Sequence, residues 1–178
     1  PRALDSSPHR HDAIYESHVT YYLEGPRSAL FCGPGQTNRA AMFAGGRLRT
    51  RPPGLADQWS LSLWFWNGMP SDARKVSGWL VSRGHDHGLA TGSLHAGVGG
   101  KGEHAGRLIL QRGPGELSLQ AGKSVIPRWE WQHLAVVRSE TSLSVFLNGV
   151  EELRQPTVPK TGIHLPQLFF GGRSDNQD

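Results

Sequence analysis

Four groups of side chains in this sequence combine residue type and spacing in a way that could do chemistry. The first is Trp64 and Trp66, at the end of the run Trp59-Ser60-Leu61-Ser62-Leu63-Trp64-Phe65-Trp66. On a strand, side chains two residues apart share a face and stand about 6.6 Å from each other. Two indoles so placed make an aromatic platform for a ligand such as a sugar ring. The alternative is that both are core, since Trp is highly buried on average. The second group is Arg47, Arg49 and Arg51, which would also share a strand face. Guanidinium forks match carboxylate and sulfate oxygens, so this stripe either contacts an anion or is a solvated strand face. The third is His85-Asp86-His87, a ligand-contacting candidate. On a strand its two histidines would share a face and could suit zinc. The flanking Gly84 and Gly88 argue instead for a solvated loop. The fourth is Asp175, Asn176 and Asp178, hard oxygen donors that make calcium a candidate ion, set against the alternative of a polar tail.

Catalytic constellations are harder to find. A glycosidase needs two carboxylates about 5–5.5 Å or 6.5–9.5 Å apart across the sugar. The simplest sequence form is a set of acids alternating on one strand, and none of the 15 acidic residues shows it. Asp57, Asp72, Asp86, Glu103, Glu116 and Glu140 stand singly in or beside expected loops. Glu151 and Glu152 are adjacent and would point opposite ways on a strand. Glu130 has no acidic partner two residues away. No G-x-S-x-G occurs, and Cys32 lacks a local nucleophile signature. The expectation is a non-catalytic binding domain, with no cofactor implied beyond the candidate calcium.

The elements that must position these residues are strands. The 178 residues suit one domain with a sizeable core, and 23 glycines and 12 prolines mark many turns. Short alternating runs separated by Gly, Pro, Asn and Asp point to an all-β sandwich or barrel. In the Trp59–Trp66 run, Leu61, Leu63 and Phe65 fall on one face and Ser60, Ser62, Trp64 and Trp66 on the other. Further strands are expected over 19–23, 29–32, 47–51, 77–83, 107–111, 117–120, 129–138, 142–147, 150–154 and 165–170. Asn148-Gly149 between two such runs predicts a type I′ hairpin, because both residues tolerate positive φ. Residues 1–18 are polar, carry His9, His11 and His18, and read as a leader or linker. No run of about 18 apolar residues is present to span a membrane. The formal charge of +4 is spread along the chain without the dense basic run of a nucleic-acid arm. A single cysteine precludes an internal disulfide.

Taken in order, Trp59–Trp66, then Trp131-Gln-His-Leu-Ala-Val-Val137 with Val145-Phe-Leu-Asn-Gly149, then Phe169-Phe-Gly-Gly-Arg173, resemble the laminin G-like, concanavalin A-like domains. Ala41-Met-Phe-Ala-Gly45 resembles the strand that precedes them in that family, with Ala44 where an aspartate is usual. The resemblance implies a two-sheet antiparallel jelly-roll sandwich, almost free of helix, over 19–178. It implies an extracellular or periplasmic, lectin-like module that binds a glycan or polysaccharide, anionic ones included, and is appended to a larger secreted enzyme. The alternative is a protein-interaction or adhesion module of laminin G type; a glycoside hydrolase or lyase of this fold is a third reading. Relatives often bind calcium through loop oxygens, which is where Asp175, Asn176 and Asp178 enter. The family pattern also continues with one more strand after Arg173. An open sheet edge near Val19–Leu23 is therefore expected, where another chain could pair.

Overall fold

A computed structural model describes residues 1–52, 58–88, 92–113, 119–157 and 167–175. Among these residues every regular element is a strand, and none is a helix that could cross a membrane. Two antiparallel sheets make a sandwich, as expected. The larger has eight strands. From one edge these are β1 (Arg2–Ala3), β2 (Ala13–Glu16), β5 (Arg47–Thr50), β14 (Gln167–Phe170), β7 (Val76–Gly84), β8 (Leu94–Gly99), β9 (Arg107–Arg112) and β10 (Leu119–Val125). The smaller has four: β13 (Val150–Pro156), β12 (Ser142–Leu147), β11 (Trp131–Arg138) and β6 (Trp59–Trp66). β3 (Val19–Thr20) and β4 (Met42–Phe43) form a separate ribbon.

Alternation builds the core. Phe65, Leu134, Val136, Leu143, Val145, Leu147 and Leu153 point inward from the smaller sheet. Val81, Ala96, Val98, Leu108 and Leu110 meet them from the larger one. Each such Leu or Val, fully buried, stabilises by about 1.5–3 kcal/mol. At one margin a buried carboxylate joins the sheets: Glu152 on β13 accepts the Lys123 and Ser124 amides of β10 at 2.6 and 2.8 Å. Gly122 makes this approach possible, because a Cβ there would sit 2.9 Å from the Glu152 carboxylate. Burial pushes the Glu152 carboxyl up, but the hydrogen bonds outweigh it and hold the group below its ordinary value.

Three expectations differ from what is found. Residues 1–18 are no detached leader, since β1 and β2 extend the larger sheet. The free edge of β5 supplies backbone partners, and Glu16 is tied to Arg47 and Arg49, so tertiary pairing overrides a weak local pattern. Residues 29–32 form no strand. Trp129 and Glu130, expected in a strand, lie ahead of β11, which begins at Trp131. At Val19–Leu23, Val19 and Thr20 pair with Phe43 and Met42 on one side, and among the described residues β6 is a further strand with one neighbour. Leu117, Ser118, Leu165 and Pro166, expected in strands, lie outside the described residues.

The Asn148-Gly149 hairpin forms as expected, with φ of 50° and 84° and Leu147 opposite Val150. Gly149→Val should destabilise by about 1–3 kcal/mol, because a β-branched residue is strained at this φ. Thermal melts of the variant and the parent chain check this. An unchanged midpoint would contradict the turn.

Candidate functional site

The register of β6 against β11 creates the site. It sets Trp66 opposite Trp131, Trp64 opposite His133 and Ser62 opposite Ala135. On the next strand Phe146 stands opposite Ala135. Residues directly opposite in an antiparallel pair share a face, and their neighbours Phe65, Leu134 and Val136 occupy the core face. Trp64, Trp66, Trp131, His133 and Phe146 therefore lie together on the outer face of the smaller sheet. Trp66 and Trp131 pack edge-to-face with centroids 5.6 Å apart, and Trp64 lies 5.2 Å from His133. Phe31, from the segment after β3, meets Trp64 edge-on at 6.4 Å. Trp64 remains 45% exposed. The indole pair thus stands on a surface platform and not in the core.

One end of this face is built by a turn. The Asn67 side-chain amide, 5% exposed, donates to the Ile126 and Pro127 carbonyls, and the Trp129 amide donates to the Asn67 carbonyl. Trp129 projects there, 60% exposed. Gly68 lies between the rings: a Cβ on it would come within 3.0 Å of Trp66 and 3.4 Å of Trp129. The sequence reading marked 129–138 as aromatic but did not join Trp129, Trp131 and His133 to Trp64 and Trp66. The usable signal was the shared parity of Trp131 and His133 along the strand.

The arginine stripe is organised differently from expectation. Arg47 and Arg49 do share a face, but they spend their charge within the protein. Arg47, only 3% exposed, binds Glu16 at 2.7 Å and Asp86 at 2.5 Å; Arg49 binds the same two acids at 2.6 and 2.9 Å. Arg47 also donates to the Arg173 and Ser174 carbonyls and lies 4.4 Å above the Phe169 ring. Burial acts against the charge on Asp86, but the two guanidiniums keep its carboxyl below the ordinary range. This closed ring leaves Arg47 no fork for an external anion. Arg51 stands exposed beyond the strand end.

Asp86 is thereby withdrawn from any His85-Asp86-His87 metal site. His85 and Gly88 close a tight turn in which His87 is largely exposed. Asp175 is bonded to Arg173 at 2.7 and 2.9 Å, while Asn176 and Asp178 lie outside the described residues. Among the described residues, no three of His, Cys, Asp and Glu gather where they could hold a metal ion.

Beneath the 171–175 segment lies a buried polar chain. The Ser174 amide donates to Ser82 Oγ, which is 2.6 Å from His95 Nδ1; His95 Nε2 is 3.2 Å from Ser93 Oγ. A neutral ring serves both serines, accepting at one nitrogen and donating at the other. Burial, aided by the nearby Arg173 charge, pushes the His95 pKa down to about 4.

No family model and no curated protein sequence matches the chain. Solved structures do match its fold. One is the botulinum neurotoxin type C structure described as entering cells through two ganglioside molecules, with TM-score 0.58, 14% identity, and coverage of 94% of this chain and 39% of that one. Another is domain 4 of AbnA, a GH43 extracellular arabinanase from Geobacillus stearothermophilus, in complex with arabinotriose; the TM-score is 0.55 at 20% identity, over 89% of this chain and 72% of that one. A third is the binding domain of botulinum neurotoxin DC in complex with rat synaptotagmin II, with TM-score 0.57, 14% identity, and coverage of 94% and 40%. The chain spans about two-fifths of the neurotoxin chains it matches. At these identities the likeness is one of fold, a β-rich fold shared with binding domains.

The buried histidine makes stability pH-dependent. Its folded pKa lies below the ordinary 6.5, so the unfolded chain takes up a proton first as pH falls. The His95 contribution should be complete above about pH 6.5, fall as pH drops towards 4, and level off below that, losing about 3 kcal/mol in all. Denaturant midpoints from pH 7.5 to 4 measure it. His95→Gln should flatten that part of the profile, and an equally steep profile in the variant would assign the slope to other groups.

Proposed function

We propose that the chain is a non-catalytic, lectin-like module that binds carbohydrate across the outer face of β6, β11 and β12. The single observation carrying this reading is the cross-strand aromatic cluster of Trp64, Trp66, Trp131 and His133 on a sheet surface, with Trp64 still 45% exposed. Water gains little from such a surface, while the apolar C–H face of a sugar ring can stack on it and keep its hydroxyls solvated. Matching solved structures include an arabinanase domain holding arabinotriose and a neurotoxin described by its gangliosides, which supports a glycan ligand for this fold. On the ordered motifs around Trp59–Trp66, Trp131–Gly149 and Phe169–Arg173, we place the module with the laminin G-like, concanavalin A-like domains. We read it as an extracellular or periplasmic part of a larger secreted enzyme.

A second reading, a protein-interaction module, has its own support. Phe31 meets Trp64, the preceding Leu30 is 91% exposed, and one matching structure holds a protein partner. Glycan arrays and calorimetry separate the two. Trp64→Ala and Trp131→Ala should each weaken glycan binding at least tenfold, the cost of losing more than about 1.4 kcal/mol of stacking, while circular dichroism stays unchanged. Glycan affinity indifferent to both substitutions would sink the platform.

A further inference from the structure

We infer that Arg128 and Trp129 form an end subsite that reads an anionic group, a carboxylate or a sulfate, on the sugar next to the one stacked on Trp64 and Trp66. This rests on the platform reading above and extends it to the charge of the ligand. Trp129 has φ of 65°. A bulky side chain seldom accepts the left-handed region, and such a residue persists only where its surroundings over-determine it. Here they do, because the buried Asn67 clamps the turn from below by two carbonyls and the Trp129 amide closes it from above. The strained backbone does not bury the ring. It holds an exposed indole at the rim of the platform, across Gly68 from Trp66. Strain maintained in order to display an apolar ring is what a pre-organised contact requires.

The charge comes from Arg128. Its guanidinium lies 4.6 Å above the Trp129 ring, and one terminal nitrogen donates to the Gly68 carbonyl at 3.3 Å. The ring contact and that bond hold the guanidinium beside the platform. No carboxylate pairs with Arg128 among the described residues. The other arginines of note are engaged elsewhere: Arg47 and Arg49 in their ring, Arg154 with Glu151, Arg173 with Asp175. At the platform's end, then, a planar fork stands beside an aromatic ring with donors to spare. A planar guanidinium suits a carboxylate or sulfate better than a hydroxyl.

The test is an array of neutral, uronate and sulfated oligosaccharides of matched length, followed by titrations at two salt concentrations. The parent chain should prefer acidic members, and the two acidic arms tell carboxylate from sulfate. Arg128→Gln should lower affinity for the preferred acidic glycan about tenfold and reduce its salt dependence, leaving neutral glycans within twofold. Trp64→Ala should weaken acidic and neutral glycans alike. Trp129→Gly should leave the melting temperature unchanged or raised, since glycine accepts this φ freely, yet weaken the acidic glycan. If neutral glycans bind through Trp64 and Arg128→Gln changes nothing, the inference falls and the platform stands. If Trp64→Ala is also without effect, both fall. A melting temperature lowered by Trp129→Gly would make Trp129 a structural residue and overturn its role here.

Discussion

Everything on the outer face depends on one register, that of β6 against β11. Side chains alternate with period two, so a slip of one residue would exchange the two faces entirely. Leu134, 0% exposed, and Val136, 1% exposed, would then face water while Trp131 and His133 turned inward. Burial of the inward set fixes the register, and the same register lines up Trp66 with Trp131 and Trp64 with His133. The hairpin beyond pins β11 on its other side, against β12. Asn148 Oδ1 accepts the His133 amide, its Nδ2 donates to Gln132, and its own amide donates to the His133 carbonyl. Core and platform are thus consequences of a single alignment, and neither can shift without the other.

The charged groups divide by whether the fold has already neutralised them. Moving an arginine out of water is costly unless acids and carbonyls replace the solvent. Arg47 meets that condition with two carboxylates, two backbone carbonyls and an aromatic face. Its ring with Arg49, Glu16 and Asp86 ties β2, β5 and the 85–88 turn together. Removing any one member would leave each of its two partners with a single ionic contact in the ring. A group so committed serves the architecture, which is why density of arginine along the sequence was a poor guide to a ligand site.

What could be read from the sequence follows from the range of the interactions. Parity along β6 is local, so the sharing of one face by Trp64 and Trp66, opposite Leu61, Leu63 and Phe65, was legible, as was the Asn148-Gly149 turn. Whether that face is core or surface was not, because it depends on what packs against it. Arg47 and Arg49 were correctly placed on one face, but their partners Glu16 and Asp86 lie 31 and 39 residues from Arg47, and no local pattern names them. The same limit hid the role of residues 13–16, which become a strand only because β5 offers an edge. It also hid Trp131 and His133, whose nearness to Trp66 and Trp64 is a fact of pairing rather than of spacing. Trp129 was the hardest to read, because its display rests on a left-handed backbone held by Asn67 from across the chain.

The accessibility of the platform has the same origin as the weakest part of the core. β10 lies against β13 at one margin, and eight strands outnumber four, so β14, β5, β2 and β1 run on past β6. Among the described residues β6 is therefore an edge with a strand neighbour on one side only. On its inner face Leu61 and Leu63 stay half-buried where Leu134 and Val136 of β11 are fully buried. A cavity of about 260 Å³ opens there, lined by Trp59, Leu61, Val81, Leu94, Ala96 and Leu168. On the outer face the same edge gives Trp64 a sheet neighbour, His133, on one flank, with Phe31 supplying the other contact. A further strand paired to β6 would close the cavity and flank Trp64 at once. Solvent access to the indole and incomplete packing beneath it are two faces of one unpaired edge, so a change that completed the core at β6 would also narrow the approach to the platform.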